Sequence, residues 1–106
     1  MTDYEYSKYN SLARQLGQLF SLIENCMYKI RIYTYNPTPR LMSEQRDYRL
    51  LIIKALESVP KFNILMAELL ELLKNTDFKN HSQWLDRQYK VNEYLRELKG
   101  ERGVFV

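Results

Sequence analysis

The stretch YKIRIYTYNPTPR (Tyr28–Arg40) decides the fold, because it reads in two ways. With a period of two it is a strand that places Lys29, Arg31, Tyr33 and Tyr35 on one face, a platform suited to nucleic acid. With a period of 3.6 it is the end of a long helix followed by a loop. Ile30, Ile32, Tyr33, Thr34 and Tyr35 all favour strands. The only candidate partner strand is the short Gly103-Val104-Phe105-Val106, and a two-stranded ribbon of that size is marginal.

The residues upstream favour the helix. Thr2-Asp3-Tyr4-Glu5 has the spacing of a capping box, in which a Thr hydroxyl and a Glu carboxylate three residues later satisfy each other's amides. Apolar positions then follow at Tyr9, Leu12, Leu16, Leu19, Ile23, Cys26, Ile30 and Tyr33 in steps of three and four, the seam of a coiled coil or long bundle helix. Ala13, Phe20 and Met27 widen the stripe. The seam runs through YKIRIYTY and stops only at Asn36-Pro37, where proline disfavours helix in the residue before it. Gly17 lies inside this helix, either simply tolerated there or, with Ala13, allowing a second backbone close approach.

Downstream, Thr38 and Pro39 mark the start of a second helix, which Tyr48, Ile52, Ala55 and Val59 carry to about Ser58. Pro60 either kinks it or begins a third. The segment KFNILMAELLELLKN (Lys61–Asn75) is apolar on most sides, which predicts burial on most sides, within the chain or between subunits. Asn75–Lys79 reads as a loop. Asn80 with Gln83 offers another cap, leading into a helix along Trp84, Val91, Leu95 and Leu98 that Gly100 ends. The expectation is all-α: a three- or four-helix bundle with a long N-terminal helix, residues 1–100 forming one domain and 101–106 a tail.

A first helix of about 33 residues is about 50 Å long, whereas a compact chain of this size has a radius of gyration near 13 Å. Such a helix overhangs its own domain, which predicts a dimer or higher oligomer through Leu12, Leu16, Leu19 and Ile23. A kinked first helix in a compact monomer is the competing arrangement.

Composition narrows the function classes. With one Cys and one His among 106 residues, neither an intrachain disulfide nor the usual zinc set can be assembled. Glycine at 17, 100 and 103 alone leaves no phosphate loop. Cys26 sits on the seam without a neighbouring base, and His81 has no carboxylate motif around it. Glu68/Glu71 and Glu93/Glu97 each lie one turn apart, but they lack the His that completes a di-metal bundle site and read as solvated carboxylates. No enzyme, cofactor or metal is expected. The start MTDYEY does not resemble a secretory signal, and the apolar runs Leu50–Ile53 and Ile64–Ala67 fall short of the roughly 18 residues that span a bilayer. A cytoplasmic protein without a membrane partner is the expectation.

The function this supports is a non-catalytic helical interaction module (adaptor, assembly subunit or inhibitor) that binds another protein through helix faces. Nine Tyr in so short a chain exceed what a small core takes up, and Tyr4, Tyr6 and Tyr9 are the candidate protein-binding residues. Residue usage dictated by an AT-rich genome, as in a virus or mobile element, explains the same abundance. The alternative is nucleic-acid binding. Residues 29–61 hold seven Lys or Arg against three Asp or Glu, a net +4, while the rest of the chain is near neutral. Lys29, Arg31, Tyr33, Tyr35, Arg40, Arg46 and Arg49 would form that surface, with Lys54 and Lys61 extending it, set against the simpler reading of a solvated basic face.

Overall fold

The capping box forms as its spacing predicts. In the computed structural model, which describes residues 2–35, 41–74 and 81–100, the Glu5 amide donates to Thr2 Oγ1 at 3.2 Å and the Thr2 amide to Glu5 Oε1 at 3.1 Å. Helix α1 follows as Asp3–Tyr35, so YKIRIYTY is helical to its last residue. The strand preference of its side chains is overcome by tertiary contacts. Ile30 is fully buried, and Thr34 Oγ1 bonds the Ile30 carbonyl at 2.8 Å and lies 3.0 Å from the Tyr48 hydroxyl. Thus the β-branched hydroxyl is satisfied inside the helix.

Helix α2 spans Met42–Leu73 and contains Pro60, so of the two arrangements that Pro60 allowed, the start of a third helix does not occur and the second helix runs on past Ser58. Proline removes one amide and opposes helix at the preceding residues, but Ala55, Ser58, Val59, Phe62 and Met66 on both sides of it are buried. Ending the helix at Pro60 would expose that whole row. Ser58 Oγ also donates to the Lys54 carbonyl at 2.7 Å. Thr38 and Pro39 lie outside the described residues, and Leu41 occupies the cap with extended backbone and no side-chain cap bond. Helix α3 is His81–Leu98, and Gly100 closes it with a left-handed φ of 80° that suits glycine. The candidate cap Asn80, the loop 75–79 and the tail 101–106 lie outside the described residues.

The three helices run up, down and up. Tyr33 stacks edge-on against Tyr48 with ring centroids 5.9 Å apart, and Phe20 meets Phe62 at 6.3 Å, which makes α1 and α2 antiparallel along nearly their full lengths. Tyr9 meets Trp84 near the start of α3 and Arg31 meets Glu97 near its end, so α3 runs parallel to α1. Leu12, Leu16, Ile23, Met27 and Ile30 of α1 pack against Val59, Phe62, Met66, Leu69 and Leu73 of α2 and against Trp84, Val91, Tyr94 and Leu98 of α3 in one core.

The molecule is a rod of 56 × 24 × 16 Å with a radius of gyration of 16.6 Å. The overhang expected of α1 is taken up inside the chain, because α2 has 32 residues where a helix ending near Ser58 would be half that. Leu12, Leu16 and Ile23 are consequently in the chain's own core, which corrects their assignment to a self-association seam. Only Leu19 of that set is half exposed. No backbone approaches Gly17 either: a Cβ there would meet nothing within 4 Å.

Candidate interaction surfaces

Polar side chains divide into those consumed by the fold and those left on open surface. Glu24 of α1 accepts from the Tyr94 hydroxyl at 2.8 Å and pairs with Lys90 at 2.7 Å. Lys90 beside it, with Tyr94, holds the Glu24 carboxyl below its usual range. In turn Glu24 raises Lys90, and burial followed by the Glu24 charge raises the Tyr94 hydroxyl. Glu97, read from the sequence as solvated, is buried with Arg31 at 3.0 Å. Asn63 accepts from Gln88 and donates to Asn92 across the α2–α3 contact. Those bonds, together with the Glu24 cluster, fix the register of α3. Cys26 is buried, and burial pushes its thiol up. Among the described residues no three His, Cys, Asp or Glu side chains converge as metal ligands. None of the described helices is long and apolar enough to cross a membrane.

The residues of the nucleic-acid reading do not come together on one face. Arg31 is bound by Glu97 and lies over the Tyr94 ring, while the Tyr33 hydroxyl donates to Asp47 at 2.8 Å. Lys29 and Tyr35 are exposed but six residues apart, more than 100° around α1. Arg46 and Arg49 are exposed on the outer side of α2, and Arg40 lies outside the described residues. The three candidate protein-binding tyrosines also separate. Tyr4 and Tyr6 are exposed on different sides of α1, whereas Tyr9 turns inward to the core and Trp84.

Two exposed apolar features emerge that residue-by-residue reading did not single out. The first is an open groove of about 550 Å³ lined by Gln15, Leu19 and Leu22 of α1 and Lys61, Ile64 and Leu65 of α2. Phe20 and Arg31 on the other side of α1 meet α3 through Arg87 and Glu97. The groove therefore occupies the side of the α1–α2 pair that α3 leaves uncovered. Tyr4 falls on the same line of α1 as Leu22, since 18 residues make five turns. The second is the outward face of α2, where Met42, Leu50, Ile53 and Ile64 are 83%, 57%, 49% and 63% exposed. The segment after Pro60, expected to be buried on most sides within the chain or between subunits, buries one side within the chain. The near-uniform apolarity of its sequence hid the direction of its exposed side.

No protein-family model, curated protein or solved structure matches the chain. Its function is to be read from these surfaces.

Proposed function

We propose that the chain is a non-catalytic helical interaction module that binds another protein through helix faces, using the open side of the α1–α2 pair. The observation that carries this reading is the asymmetry of that pair. One side is roofed by α3, an amphipathic helix of 18 residues, and the other presents Leu19, Leu22, Ile64 and Leu65 along an open groove. An amphipathic helix laid there would repeat what α3 does opposite and complete a four-helix arrangement. Lys61 lies in the groove wall, and exposed Lys54 and Lys29 continue along that side, which favours a partner helix with acidic flanks. Tyr4 extends the same line with a large exposed side chain.

The test is site-specific photo-crosslinking in the native host, from a probe at Leu22 and from a control probe at exposed Ser21. Adducts with one protein from Leu22 but not Ser21, lost in Leu65→Glu with helicity unchanged, are the expected result. Identical adducts from both positions, or none from Leu22, would overturn the reading.

A further inference from the structure

The outer face of α2 carries a pattern with a symmetry of its own. Arg46, Arg49, Ile53, Glu57, Pro60, Ile64, Glu68 and Glu71 are all exposed and follow one another in steps of three, four, four, three, four, four and three. This order is the same from either end. Of the four pairs of positions equidistant from its centre, between Ser58 and Val59, three are chemically complementary: Arg46 mirrors Glu71, Arg49 mirrors Glu68 and Ile53 mirrors Ile64, while the innermost pair is Glu57 and Pro60.

Within one chain these charges cannot meet. Arg49 and Glu68 are 19 residues apart on one helix, about 28 Å, and none of the four charged residues makes an ion pair with another described residue.

We infer that this face is the interface between two copies of the chain, with α2 packed antiparallel on α2 about a two-fold axis near residues 58 and 59. In that register each Arg46 and Arg49 faces the other copy's Glu71 and Glu68, and each Ile53 lies on the other copy's Ile64. The central Glu57 comes beside the other copy's Lys61. An isologous contact needs a patch complementary to itself under a two-fold, and the mirrored order supplies that. Parallel pairing is opposed by the same residues, since Arg would lie on Arg and Glu on Glu.

The seam is about 38 Å long. A single helix seam of that length is small beside the roughly 800 Å² per partner of a standard interface, so a weak, concentration-dependent dimer is expected. This contact is centred on a different face from the α1–α2 groove of the proposed function, although Lys61 and Ile64 border both. Either reading survives failure of the other, because Leu65→Glu acts on the groove and the charge variants below act on the seam.

The test uses two full-length variants, Arg46→Glu/Arg49→Glu and Glu68→Arg/Glu71→Arg, followed by sedimentation equilibrium up to about 200 µM, high enough to populate a weak dimer. All four positions are solvent-exposed, and far-UV circular dichroism checks that the helices persist. The natural chain should be dimeric at the top of the range, each variant alone at least tenfold weaker, and the 1:1 mixture dimeric again, since each variant supplies the charge the other lacks. Ile53→Cys and Ile64→Cys chains should be joined by a short bis-maleimide when mixed and not when alone, because the antiparallel register separates like positions by about 16 Å. A natural chain that stays monomeric, variants that associate as well as it does, or a mixture no better than its components would each overturn the interface.

Discussion

Glu97 shows how one residue can change role between sequence and structure. Its carboxylate is 8% exposed while the Arg31 side chain that holds it is 46% exposed. Losing the guanidinium therefore leaves a charge in the bundle with little water to take over. Arg31→Ala is expected to cost about 2 kcal/mol, below the 3–5 of a fully buried pair because Arg31 is half solvated, whereas Glu97→Gln should cost about 1. Urea unfolding of the two variants checks the order, and a larger loss for Glu97→Gln would mean that the pair is not what holds this site.

Glu24 makes a pH-dependent contribution. Its carboxyl is held below its ordinary 4.5, so the stabilisation is present above that value and is lost as pH falls through the lowered one. Lys90 and Tyr94 are raised from 10.5 and 10.0, so their contribution is present below those values and is lost as pH rises past them. Glu24→Gln should lower stability at pH 7 by about 1 kcal/mol, discounted for the exposure of the pair, and flatten the acid limb of the stability curve. An acid limb unchanged in slope would assign it to other carboxylates. The carboxylate's partners were beyond sequence reasoning, because Lys90 and Tyr94 are 66 and 70 residues away and only the packing of α3 brings them together.

At the scale of the element, Pro60 separates what is legible from what is not. The capping box at Thr2, the seam of α1 and the end of α3 follow from local chemistry, which acts over four or five residues, and these three are found where their residues place them. A proline inside a helix obeys a local rule that tertiary burial can override, and the buried row Ala55, Val59, Phe62 and Met66 overrides it here. The same row makes the penalty measurable. Pro60→Ala restores an amide donor to the Leu56 carbonyl and should stabilise the chain by about 1–3 kcal/mol, with no loss of helicity by circular dichroism. A destabilised Pro60→Ala chain would show that α2 depends on a bend at that point. The groove was illegible for a related reason: Leu19 and Leu22 belong to a stripe that looks uniformly internal, and only the position of α3 decides which edge of it stays open.

For the whole molecule, the consequence of a single core shared by all three helices is cooperative unfolding, since no helix pair holds a core independent of the third. Two natural reporters sit in different parts of that core: Cys26 on α1 and Trp84, the single tryptophan, on α3. Labelling of Cys26, fluorescence of Trp84 and helical circular dichroism should share one denaturant midpoint. Cys26 labelling well below that midpoint would reveal partial opening of α1. The sequence-based length of α1 was right, but the shape inferred from it was not, because shape depends on how far α2 extends alongside.

The odd number of helices has a mechanical meaning. The path up, down and up carries Thr2 to one end of a 56 Å rod and Gly100 towards the other. Anything tethered at those two points is held apart instead of being gathered at one pole, as a two-helix hairpin would gather it. A load applied between them would run along the helix axes and shear α3 against its neighbours instead of peeling one helix away from its end.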